Sequence, residues 1–146
     1  MRTPNSAVRQ ALMAALLIIS TSCSIMCNQK PSLRDTRWVA EYQEFVADAG
    51  NATVTLTLTF PSGKDFTMAQ DFVMPPYPAM YMNPDGTVDM NPGHSSHFDE
   101  SGTYRYDGRT LKLTFSDGTK MELTLRKDSF AGKNRYGQEV VFKKES

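Results

Sequence analysis

The sequence predicts an all-β domain: a small antiparallel up-and-down barrel, or an open meander, of about eight strands. Three observations carry that reading. Asn51–Phe60, "NATVTLTLTF", alternates strictly, with Val54, Leu56, Leu58 and Phe60 on one side and Thr53, Thr55, Thr57 and Thr59 on the other, which is the period of a strand with one face in a core and one in water. Asp-Gly pairs at Asp107-Gly108 and Asp117-Gly118 separate further alternating runs, and tight hairpins favour Asp-Gly because their central residues need positive φ. No segment carries an amphipathic helical pattern ten residues long.

At the N-terminus, Arg2 and Arg9 precede the apolar run Ala11–Ile19, "ALMAALLII", and a small-residue stretch then reaches Cys23. A basic start, a short apolar core and small residues define a secretory leader, and the run is too short to span a bilayer. "IISTSCS" resembles the lipobox of bacterial lipoproteins, whose cysteine is lipidated and becomes the first mature residue. The family usually has Leu three residues before that cysteine; here Ser20 stands there and Ile19 lies one place early. Cys27, preceded by the large Met26, is the weaker candidate. The expected organisation is a leader over 1–22, a lipidated tether over 23–34 and a β-barrel domain over 35–146. The resemblance implies a bacterial envelope location, an outer-membrane lipoprotein held by its acyl chains with no spanning segment.

The chain has two cysteines, both in this N-terminal region, so a disulfide between them would cross-link only a tail and the fold rests on an apolar core. Sixteen basic and sixteen acidic residues balance, and loss of Arg2 and Arg9 with the leader leaves a slightly acidic chain. Such a mixed surface offers no electrostatic case for nucleic acid.

In chain order, Thr36–Val46 places Trp38, Ala40 and Tyr42 on one strand face, and the threonine-rich strand follows. Pro61-Ser62-Gly63 turns the chain into Asp65–Met74, where Phe66, Met68, Phe72 and Met74 align with Gln70 among them. Later strands carry Tyr104 and Tyr106; Leu111, Leu113 and Phe115; Met121, Leu123 and Leu125; and Val140 and Phe142.

Met74–Glu100, "MPPYPAMYMNPDGTVDMNPGHSSHFDE", stands apart. Successive prolines cannot donate to a ladder and end the preceding strand. Ala79–Asn83 reads as a short edge strand, and Pro84-Asp85-Gly86 turns it into Thr87–Met90. Asn91-Pro92-Gly93 then releases a polar loop that lasts until Gly102. The meander does not require this excursion, which makes it a candidate contact surface for an envelope protein.

From "LRDTRWVAEYQ" through "SGTYRYDGRTLKLTFSDGTKMELTLRKDSFAG" the chain resembles the lipocalin-like domains of small bacterial lipoproteins. Lipocalins carry Gly-x-Trp on their first strand; Thr36-Arg37-Trp38 holds that place without the glycine. The resemblance implies a binding module for a small hydrophobic ligand. Trp38, Tyr42, Phe66, Phe72, Tyr104 and Tyr106 are the candidate ligand-lining residues, with the alternative that such aromatics simply fill a small barrel.

His94 and His97 are the candidate metal ligands, beside Asp99 and Glu100; with Met80, Met82 and Met90 they would suit copper(I). Against that, the methionines lack a repeated spacing, and methionine commonly fills apolar gaps. No catalytic residue and no cofactor are expected: the chain has no Gly-x-Ser-x-Gly elbow, no His-Glu-x-x-His helix and no phosphate-cradling glycine loop.

Overall fold

A computed structural model describes residues 31–146. The expected leader and the expected lipidation site Cys23 lie outside the described residues. Among those residues ten strands form: β1 Arg37–Val46, β2 Gly50–Thr59, β3 Asp65–Met74, β4 Tyr77–Met82, β5 Val88–Asn91, β6 His94–Tyr106, β7 Thr110–Phe115, β8 Lys120–Arg126, β9 Ser129–Lys133 and β10 Glu139–Lys144. Eight close into an antiparallel barrel in the order β1-β10-β9-β8-β7-β6-β3-β2, while β4 and β5 pair only with each other. The connectivity is therefore up-and-down with one hairpin excursion. Closure comes from β10 returning to β1, where Trp38 faces Lys144 and Val39 faces Lys143. At the level of the core, closure gives every barrel strand a partner on both sides.

Side-chain alternation decides what fills it. The inward rows contribute Trp38 and Ala40; Val54, Leu56 and Leu58; Phe66 and Met68; Leu111, Leu113 and Phe115; Met121 and Leu123; Phe130; and Val140 and Phe142. Phe60, Phe130 and Phe142 are completely buried, and burying each such ring contributes about 2–3 kcal/mol. The rings interlock: Trp38 lies 4.6 Å from Phe130, Phe60 meets Tyr104 edge-on at 4.8 Å, and Phe66 meets Phe115 edge-on at 5.2 Å. Leu33 is buried beneath them, and Pro31 lies against the Gly108 turn. This end of the barrel is plugged.

The threonine face of β2 is less exposed than its alternation predicts. Thr57 is buried, because β2 is flanked along its length by β1 and β3, with Val39 and Ala69 on either side of Thr57. At Gly102 the backbones come close: a Cβ there would stand 2.1 Å from the Thr114 carbonyl oxygen and 2.9 Å from the Phe66 ring. The Asp-Gly turns form with Gly108 and Gly118 at φ of 98° and 85°. Asp107 accepts hydrogen bonds from the Arg109 and Thr110 amides, and Asp117 accepts from the amide and hydroxyl of Thr119. Asp85 repeats the device with Thr87 in the β4–β5 hairpin.

The polar loop expected between Gly93 and Gly102 is instead the first half of β6. It pairs with β3 without interruption, from Met74 opposite His94 to Asp65 opposite Thr103. Pairing with β7 begins only at Gly102, although the Ser116 amide also reaches the Ser101 carbonyl. The inward side chains of this half, Ser96, Phe98 and Glu100, face an opening and not the core, so no apolar stripe marks it as a strand. One side of the barrel, formed by β1, β2, β3 and upper β6, consequently rises above the shorter strands β7–β10.

Candidate functional site: the open end of the barrel

The tall and short walls enclose two joined hollows above the core. The lower one, about 330 Å3, has Leu56 and Met68 in its floor and is lined by Tyr42, Gln70, Phe98, Glu100, Asn134, Arg135 and Tyr136. The upper one, about 440 Å3, shares Tyr42, Gln70, Phe98 and Tyr136 and adds Glu44, Phe72, His94, Ser96 and Gln138. Each side chain arrives by strand alternation. Tyr42 and Glu44 continue the inward row of Trp38 and Ala40, and Gln70 and Phe72 continue that of Phe66 and Met68.

The low wall is built by the β9–β10 turn. Asn134 ties it together: its side-chain oxygen accepts from the Tyr136 and Gln138 amides, and its NH2 donates to Gln138 at 2.9 Å and to the Tyr42 hydroxyl at 3.5 Å. Burial pushes the Tyr42 phenol pKa up, and the neighbouring Glu44 carboxylate adds to that. Next in the turn, Arg135 reaches Glu100 on β6 at 2.7 Å and Asp117 in the β7–β8 turn at 3.8 Å. Its guanidinium also lies 4.9 Å from the centre of the Phe115 ring. The cation at the mouth is thus already engaged by two carboxylates and a ring face.

The six aromatic residues named from the sequence divide between the two ends. Tyr42 and Phe72 line the open hollows. Trp38, Phe66, Tyr104 and Tyr106 are packing residues of the core and plugged end. The Trp38 indole donates to Thr36, the Tyr104 hydroxyl to the Ser62 carbonyl and the Tyr106 hydroxyl to the Gly108 carbonyl.

The two histidines do not converge. Three residues apart on one strand, they project to opposite faces of β6. His94 lines the upper hollow, its ring 5.5 Å from Phe72. His97 lies on the outer surface, with Nδ1 2.6 Å from Asp71 and Nε2 3.1 Å from Asp99. With each ring nitrogen on its own carboxylate, the trio forms a bridged hydrogen-bond chain, and a metal would have to displace it. Among the described residues no group of three or more His, Cys, Asp or Glu is placed to hold a metal ion. Hydrogen bonding to Asp71, and then to Asp99, raises the His97 pKa.

Glu44, Phe98, Glu100, Asn134, Arg135 and Tyr136 are mouth residues that strand patterning passes over. One signal was present: Gln70 interrupts an otherwise apolar inward row, marking where the core ends. The turn "NRYGQ" carries no period and could not be placed without the closure of β10 on β1. No family model, no curated protein and no solved structure matches the chain.

Proposed function

We propose that this protein is a non-catalytic binding module that takes a small ligand with substantial apolar surface into the open end of its barrel. In this reading it is a lipocalin-like lipoprotein of the bacterial envelope, held on the outer membrane through acyl chains on Cys23. The observation that carries the ligand reading is the contrast along the barrel axis. The core is filled with interlocking rings, whereas the mouth keeps two joined hollows lined by Tyr42, Phe72, Phe98 and Tyr136. Concave, aromatic-lined spaces with a few convergent polar groups are the usual form of small-molecule sites.

Titration of the isotope-labelled protein with short n-alkanols tests the reading. Saturable NMR shifts are expected at Tyr42, Gln70, Phe72 and Phe98, with Tyr104 and Tyr106 unmoved. Absence of any saturable shift would remove the binding-module reading. The anchor is tested separately, by labelling cells with radioactive fatty acid: Cys23→Ser should lose the label, and retention would overturn the assignment of Cys23.

A second reading, contact with an envelope protein, is favoured by the β4–β5 hairpin. It presents Tyr81, Met82, Val88 and Met90, all exposed. Replacing residues 77–91 with a Gly-Ser link and comparing proteins captured from envelope membranes tests it; an unchanged set counts against this surface.

A further inference from the structure

The charges at the mouth are unevenly committed. In the lower hollow, Glu100 is held by Arg135, and Asp99 turns its carboxylate to the outer face, where it meets His97. Arg135 in turn is shared between Glu100, Asp117 and the Phe115 ring. In the upper hollow the carboxylate is Glu44, and among the described residues no salt bridge engages it. The remaining walls of that space are Tyr42, Phe72, Phe98 and Tyr136, with the amides of Gln70 and Gln138, the Ser96 hydroxyl and the His94 ring.

We propose that the upper hollow receives an organic cation, a substituted ammonium group set among Tyr42, Phe72, Phe98 and Tyr136 with Glu44 as its counter-charge. The apolar remainder of the ligand then points down to Leu56 and Met68. This rests on the reading of the mouth as a ligand site and specifies its chemistry.

Three physical arguments lead to this class. Aromatic rings attract cations through their negative faces, most strongly when the cation is weakly hydrated, as alkylated ammonium groups are. A bare metal ion would need several oxygen ligands to replace its water, and one carboxylate among rings does not supply them. An anion would meet Glu44 directly, while the nearby guanidinium is already engaged. Size agrees as well: the upper hollow of about 440 Å3 accommodates a trimethylated nitrogen, and the adjoining 330 Å3 takes a short chain above the apolar floor.

The test uses three probes of matched length on the full chain: hexyltrimethylammonium, 1-hexanol and hexanoate, with affinities from calorimetry or NMR titration. The cation should bind about tenfold more tightly than the alcohol, the size of a partly desolvated cation–π and counter-charge effect. Added salt should weaken the cation and leave the alcohol unchanged. Glu44→Gln, at an exposed position, should bring the ratio of cation to alcohol affinity down close to one. If 1-hexanol or hexanoate binds as tightly as the cation, the cation proposal is overturned while the apolar-ligand reading stands. Saturable binding by none of the three overturns both. A preference that survives Glu44→Gln removes Glu44 as the counter-charge.

Discussion

Arg135 and Glu100 meet at 2.7 Å across the barrel mouth and join the β9–β10 turn to the part of β6 just above its pairing with β7. Both side chains are about one-quarter to one-third exposed, so the pair is neither a free surface ion pair nor a fully buried one. A double-mutant cycle with Arg135→Met and Glu100→Gln, read by urea denaturation, should return a coupling of about 1 kcal/mol. A coupling indistinguishable from zero would mean that the low wall stands without this link.

Gly102→Ala should destabilise the barrel by about 3 kcal/mol, because its Cβ meets the Thr114 carbonyl, which the β6–β7 ladder holds in place. Gly63→Ala, where a Cβ meets nothing within 4 Å, should stay within about 0.5 kcal/mol of the parent. Equal effects in thermal or chemical denaturation would show that the strands can separate at Gly102 at little cost.

His97 links β3 to upper β6 through Asp71 and holds Asp99 on its own strand; these are the charged groups that face it, and β6 has no strand partner on its other side there among the described residues. Its pKa is raised in the folded protein. The stabilisation is therefore fully present below the ordinary imidazole value of about 6.5 and is lost as pH rises through the folded value. Amide hydrogen exchange in upper β6, corrected for the intrinsic pH effect, should show protection that falls over that window. His97→Gln should abolish the dependence and His94→Gln should keep it; the reverse pattern would contradict the bridge.

The three turn aspartates act in the opposite direction. Hydrogen bonds from the residues they cap hold Asp85, Asp107 and Asp117 below the usual carboxylate range: chiefly the Thr87 side chain, the Thr110 amide and the Thr119 side chain. Their contribution is present above the unfolded carboxylate value, about 3.9, and is lost as pH falls through the lower folded values. Side-chain carboxyl NMR titration should find all three below that value. Asp107→Asn should reduce the acid sensitivity of the domain, and an unchanged acid transition would show that the turn contributes nothing to it.

The barrel was legible wherever a residue row faces the core. Val54, Leu56 and Leu58, or Leu111, Leu113 and Phe115, announce their strands because every second side chain is apolar. β9 was not read as a strand, since Phe130 is its one large inward residue and Gly132 contributes no side chain. Upper β6 was not legible because it needs no apolar face: β3 supplies its hydrogen bonds, and Ser96 and Glu100 look into the mouth. The same reasoning explains the divided aromatic set. Trp38 and Tyr42 lie on one row of one strand, and only the closure of the barrel determines that the first is packed and the second lines a hollow.

Pro31, the first of the described residues, rests on the Gly108 turn at the plugged pole, opposite the hollows. The two poles therefore offer solvent different things: one is closed by the protein's own rings and Leu33, and the other is where a dissolved molecule meets an opening.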